Sequence, residues 1–176
     1  MKTPLFQTDF YQYPIENWDS KKEKLLEYIN FDDMVRNPNQ MFESDKHTNN
    51  SGYLKLFGET FNQELNFFKA EANLPQFALT KVWTVNYKKG DMHGPHNHAG
   101  SGYSGILYFN YDEDEHTPTH FVYPLNDPIH DQTMISKPSA FEGLMLIVPS
   151  NILHYTKPNY SDKNRTIMGF DIKFNF

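Results

Sequence analysis

Cysteine is absent from the 176-residue sequence, which removes disulfides, thiolate zinc sites and cysteine nucleophiles together. No apolar run approaches the roughly 20 residues that a membrane-spanning helix needs. The stretch Met1 to Phe10 also lacks the basic start and apolar block of a secretory signal, so a cytosolic protein is the expectation. Basic residues are in the minority, 16 Lys and Arg against 22 Asp and Glu, giving a formal charge of −6 and a pI near 5.7. That balance argues against a surface that tracks nucleic-acid backbone, because such a surface clusters Lys and Arg to displace counterions. Internal repeats and low-complexity tracts are missing as well.

Aromatic side chains are plentiful instead. With 15 Phe and 11 Tyr, they make up 16% of the chain, so large rings are expected to supply much of the buried area. The length fits a single domain, 1–176, with residues 1–76 as N-terminal helices and loop and residues 77–176 as the core.

Residues 4–15 alternate loosely and predict an opening strand that ends at Pro14. Ser20-Lys21-Lys22-Glu23 fits a capping box ahead of Leu25, Leu26 and Ile29, predicting a short helix that ends near Phe31. Asp32 to Gly52 is polar and reads as a long loop. Phe61, Leu65, Phe68 and Ala72 recur at helical steps between Gly58 and Pro75. Beyond Pro75 the pattern turns to strands: Phe77–Tyr87, Tyr103–Asn110, His116–Pro124, Phe141–Pro149 and Thr166–Phe174, with turns at Lys88–Asp91 and Asp112–Glu115. Five strands without a long helix between them favour an antiparallel sandwich or barrel over a parallel sheet.

Three of the eight histidines fall within six positions, His93, His96 and His98. Such a cluster is a surface loop about as often as a metal site. On an extended strand, however, His96 and His98 point to one side and Asn97 to the other. His154 follows the apolar run Leu144–Pro149 and is either a satisfied core histidine or a third ligand from a distant strand. Three imidazoles arranged so would leave about three coordination positions open, which suits chemistry more than a closed structural site. His93 is expected to cap the loop or to sit at the rim of the site. His47, His116, His120 and His130 have no such spacing and read as ordinary surface or strand residues.

The run Trp83–Gly90, then His96-Asn97-His98, then Ser104–Tyr108, continued by Gly143–Ser150, His154, Pro158 and Arg165, resembles the iron- and 2-oxoglutarate-dependent oxygenases of the prolyl-4-hydroxylase-like group, including the small oxygenases of marine phages. The resemblance covers about residues 77–176. It implies a mainly β fold, a double-stranded β-helix (a jelly-roll or cupin-like barrel) with N-terminal supporting helices. It also implies a dioxygenase that couples decarboxylation of 2-oxoglutarate to hydroxylation of a peptide, amino-acid or other small substrate by O2. His96, His98 and His154 would hold Fe(II). Arg165 would pair with the far carboxylate of 2-oxoglutarate, for which a guanidinium fork is well suited. Tyr108 and Tyr87 stand where the group places hydroxyls around this cosubstrate, and read on their own they are equally well core aromatics. One departure is His98, since the group usually has Asp or Glu there.

Two other readings stay open. Gly90, His96-X-His98, Gly143, Pro149 and His154 also resemble the histidine boxes of cupins, three-His metal proteins that do not use 2-oxoglutarate. Cupins usually add a Glu shortly after the second His, where Gly102 and Tyr103 stand here, and give no role to Arg165. A barrel that keeps its histidines but serves only as a binding module is the third reading. The segments Asp32–Gly52 and Asp112–Pro118 are candidates for the rim of the site.

Overall fold

The computed structural model describes residues 8–47, 51–98, 100, 102–127 and 129–174, and of residues 51 and 52 the backbone alone. Among the described residues, ten strands form two antiparallel sheets. The larger sheet runs β1 (Tyr11–Pro14), β8 (Leu144–Pro149), β5 (Tyr103–Asn110), β10 (Arg165–Lys173), β3 (Ala78–Tyr87) and β2 (Glu43–Ser44). The smaller one runs β4 (His93–His96), β9 (His154–Thr156), β6 (His120–Asp127) and β7 (Gln132–Ser136). This is the expected double-stranded β-helix.

The apolar run in β8 has a simple cause: both faces of the larger sheet are covered. Met145 and Ile147 pack with Leu107, Phe109, Met168 and Phe170 against three helices, α1 (Trp18–Leu26), α2 (Ser51–Thr60) and α3 (Asn62–Glu71). Their neighbours Leu144, Leu146 and Val148 join Trp83, Val85, Tyr87, Ile106, Tyr108 and Ile167 on the inner face, where Phe121 of β6 meets them. Alternation along each strand therefore divides the core into a helix side and a barrel interior. The helix side is aromatic, with Phe57, Phe61 and Phe68 fully buried, each worth roughly 1.5–3 kcal/mol of burial.

Several elements differ from the sequence expectation. Helix α1 begins at Trp18, and Asn17 before it is left-handed (φ 54°) with no side-chain cap, so Ser20 lies inside the helix. Docking sets that start: the Trp18 indole donates to Glu142, Lys22 donates to the same oxygen, and the ring occupies the space a Cβ would need at Gly143, whose φ is +82°. The helix ends at Leu26, short of Phe31. Helix α2 begins within the segment read as loop, because the stripe of Phe61 extends upstream through Phe57 and Tyr53, both buried. The strand expected from His116 starts at His120. In the intervening turn the His116 ring accepts from the Asp112 amide and donates to the Lys163 carbonyl. Strand β7 gives no alternation signal because all five of its residues are exposed. Of the opening strand, residues 4–7 lie outside the described residues and Tyr11–Pro14 forms.

Candidate metal centre

Strands β4 and β9 pair so that His96 stands directly opposite His154, and cross-strand partners bring their side chains to within reach of one another. Strand β4 stops at His96, and His98 follows it with its amide donating to the Ser150 carbonyl. The three imidazoles offer nitrogens that all lie within 4.8 Å of one another, close to the spread that a shared ion with bonds of roughly 2.1 Å allows.

Hydrogen bonds fix which nitrogen each ring offers. Nδ1 of His96 faces the Gly94 carbonyl at 2.9 Å, Nδ1 of His154 the Ile152 carbonyl at 3.0 Å, and Nδ1 of His98 the Asp171 carboxylate at 2.6 Å. All three partners are acceptors, so each Nδ1 carries the proton and each Nε2 keeps its lone pair for a cation. Burial first, and the neighbouring histidines second, push the His154 imidazole down to about 3 and lower His96 in the same direction. These rings are neutral at ordinary pH, the form a metal binds. An all-imidazole set suits Fe, Zn, Cu or Ni, and in the tautomers present it fits the Fe(II) that the sequence resemblance implies.

His93, expected at the rim, stacks on His96 with ring centroids 3.7 Å apart and lies against Phe42 at 4.3 Å. Trp83 covers His98 at 5.5 Å. Gly169 makes room for that indole, since a Cβ there would lie 2.5 Å from its ring.

The cavity that the histidines line, of about 170 Å³, is walled also by Tyr87, Thr119, Thr156 and Ile167. Arg165 and Tyr108 lie immediately behind that wall. Arg165 is 1% exposed and sits among the rings of Tyr87, Tyr108 and Tyr111, with centroids 5.0, 5.7 and 5.9 Å from its guanidinium carbon. One of its nitrogens donates to Thr119 Oγ1 at 3.1 Å, while Nε and Nη1 are buried with no partner among the described residues. Thr119 also donates its amide to the Tyr108 hydroxyl at 3.1 Å, leaving the phenol proton for an acceptor. Tyr87 bonds through its hydroxyl to Thr156, and burial raises its pKa. A buried cation with two unpartnered nitrogens is costly unless an anion joins it. An anionic ligand would meet that requirement.

The sequence reading missed Asp171, Thr119 and Thr156. Asp171 was findable, since it shares the inner face of β10 with Arg165, Ile167 and Gly169 by alternation. Its carboxylate also accepts from Ser104 Oγ at 2.9 Å. Burial would raise its pKa, but the bonds from His98 and Ser104 outweigh that and lower it. Of the two rim candidates, residues 40–47 do line the cavity, through Gln40, Phe42, Lys46 and His47; His47 is therefore part of the mouth. Lys46 places its ammonium 4.3 Å from the Trp83 ring centre. Residues 48–50 of that segment lie outside the described residues. The other candidate, Asp112–Pro118, does not line the cavity and is tied down by Lys163.

The chain matches the family described as "Putative 2OG-Fe(II) oxygenase" over residues 81–171, just over half of its length, and it belongs to that family. These are enzymes that use Fe(II), 2-oxoglutarate and O2. Among solved structures it is similar to HygX from Streptomyces hygroscopicus, crystallised with nickel, 2-oxoglutarate and hygromycin B (TM-score 0.71, 14% identity, 96% of this chain and 84% of that one). It is similar also to the viral collagen prolyl hydroxylase of Paramecium Bursaria Chlorella virus-1 (TM-score 0.60, 14% identity, 93% and 94%). A third is a prolyl-4-hydroxylase from Pseudomonas putida (TM-score 0.63, 9% identity, 93% and 92%). These likenesses establish the fold. No curated protein sequence matches the chain, and no helix among the described residues is long and apolar enough to cross a membrane.

Proposed function

We propose that residues 1–176 form one catalytic domain, a non-heme Fe(II)- and 2-oxoglutarate-dependent dioxygenase that hydroxylates a peptidyl or amino-acid substrate. The observation that carries the reading is Arg165, a buried guanidinium with two unpartnered nitrogens, set behind the Tyr87 and Thr119 wall of the cavity that three converging imidazoles line. Fe(II) with 2-oxoglutarate and O2 would supply the oxidising chemistry, one oxygen atom entering the substrate as hydroxyl and the other entering succinate as CO2 leaves.

The chain's own part is to bind, orient and exclude water. Nε2 of His96, His98 and His154 holds the metal. Arg165 takes the far carboxylate of 2-oxoglutarate in a two-pronged charge-assisted contact, and Tyr108, oriented by the Thr119 amide, adds a hydroxyl donor. Tyr87 closes the wall beside them. Phe42 and Trp83 give the mouth apolar sides, and Gln40, Lys46 and His47 give it polar groups for a substrate. The all-imidazole set favours one second reading, a three-His metal protein that ignores 2-oxoglutarate, and Arg165 would then have no anion to meet.

Anaerobic titration of the Fe(II)-loaded protein with 2-oxoglutarate separates the two. The expected result is a weak visible charge-transfer band, followed by succinate once O2 is admitted. Iron binding with no response to 2-oxoglutarate would move the assignment to the three-His protein. A peptidyl proline is the first substrate to assay, on the likeness to two prolyl hydroxylases, and free amino acids are the second.

A further inference from the structure

Three neutral imidazoles leave a divalent cation with its full charge, which disfavours both retention of the ion and its oxidation to a trivalent state. The nearest carboxylate is one hydrogen bond away. Asp171 accepts from His98 Nδ1 at 2.6 Å, whereas the equivalent nitrogens of His96 and His154 meet only backbone carbonyls. Resting on the proposed metal site of His96, His98 and His154, we infer that His98 and Asp171 act as one composite anionic ligand, with Asp171 supplying through the imidazole the negative charge that the metal's direct ligands lack.

Asp171 stands opposite Ser104 on β5 and Lys81 on β3, and the β10–β3 register breaks immediately after it, Ile172 pairing with Leu79 so that Thr80 is skipped. The extra residue, Thr80, lies on β3, and such bulges concentrate beside functional sites. Ser104 Oγ occupies a further lone pair on the oxygen that meets His98, fixing the carboxylate's rotation. Lys46 acts on Asp171 only at longer range. A carboxylate that receives the Nδ1 proton makes Nε2 a stronger donor, and removing such a partner typically weakens metal binding by about 10–100-fold. Asp171 is thus a positioning and charge-tuning residue; it does not itself touch the ion.

Asp171→Asn tests this, because the amide oxygen still accepts from His98 while the charge is gone. Binding of Fe(II), and of Co(II) as an air-stable probe, should weaken by about 10–100-fold, and the Fe(III)/Fe(II) potential should rise. His98→Asp made in the Asp171→Asn background should restore affinity more than the same change made alone, where it would set two carboxylates side by side. Unchanged affinity and potential in Asp171→Asn would overturn the composite ligand while leaving the three-His site standing, provided His154→Ala has lost the metal. If His154→Ala binds metal normally, the site reading itself fails and takes this inference with it. A measurement on the unaltered protein guards against a variant that does not fold. Proton NMR of the Co(II)-loaded protein should show three exchangeable, hyperfine-shifted imidazole N–H signals, one of them lost in His98→Gln. Only two such signals would mean that His98 does not bind through Nε2 with its Nδ1 proton given to Asp171.

Discussion

Replacing Arg165 with Met should move stability in opposite directions with and without 2-oxoglutarate. In the ligand-free protein the guanidinium is buried among three tyrosine rings with one hydroxyl acceptor and two unanswered nitrogens. Removing a buried charge that lacks a counter-ion is neutral or stabilising, set against the loss of about 1 kcal/mol for the Thr119 contact. The ligand-free Tm should therefore stay level or rise. With 2-oxoglutarate the sign reverses. Two charge-assisted hydrogen bonds contribute about 1.5–3 kcal/mol each, so losing both should raise Kd by about 10²- to 10⁴-fold at about 1.4 kcal/mol per tenfold.

The assay is thermal melting of the Ni(II)-loaded protein, which binds without turning over. At 100 times the native Kd, 2-oxoglutarate stabilises the unaltered protein by about 2.7 kcal/mol. For a chain of this length that corresponds to a Tm rise of about 5–11 °C. The same concentration on a variant weakened 100-fold gives only about 0.4 kcal/mol, a shift of about 1–2 °C. An equal ligand-induced shift in both proteins would refute the role of Arg165. A large loss of ligand-free stability would show instead that the guanidinium already has its counter-ion in the fold.

His154→Ala removes the most buried of the three imidazoles, and metal retained after dialysis, read by elemental analysis, should fall more than about 100-fold, beyond what loss of a supporting partner produces; normal content would dismiss the centre. Gly169→Ala drives a methyl into the Trp83 ring, 2.5 Å away, and should lower stability by about 1–3 kcal/mol; an unaltered melting curve would show that the indole is not wedged there. His116 is held neutral, chiefly by burial, its Nδ1 accepting from the Asp112 amide. Its folded pKa therefore lies below the ordinary value of 6.5. The stability this confers is complete above about pH 6.5 and drains away as pH falls below that toward the folded pKa. Between pH 7.5 and 5.5 the denaturant midpoint of the unaltered protein should fall more steeply than that of His116→Gln, and parallel slopes would exclude the effect.

Where burial and periodicity coincide, the fold was legible. Tyr103–Asn110 is a strand at the expected bounds because alternate residues meet the helices and the barrel interior, as Leu107 and Tyr108 do. Strand β7 was not legible, since an edge strand exposed on every residue carries no pattern. Helix α1 misled because a capping box describes a local preference, whereas the anchoring of Trp18 at Glu142 and Gly143 is a contact across more than a hundred residues. The site divides along the same line. His96 and His98 announce themselves by residue type and spacing and Arg165 through the family resemblance, while Thr119 matters only because the fold brings its amide to Tyr108 and its hydroxyl to Arg165.

Strand β10 shows why the two ends of the site should be considered together. It carries Arg165 at one end and Asp171 near the other, on one face, with Ile167 and Gly169 between them lining the cavity. At about 3.3 Å per residue the two charges are anchored roughly 20 Å apart along one rigid element. Pairing with β3 and β5 on either side holds that element in the middle of the larger sheet. A change that shifted β10 would therefore displace the cation meant for 2-oxoglutarate and the carboxylate behind His98 at once. Met168 and Phe170 face the helices from the same strand, so Phe170→Ala, which touches neither the cavity nor a histidine, should weaken metal and 2-oxoglutarate binding together. A variant that folded and lost only one of the two would show that the ends are positioned independently.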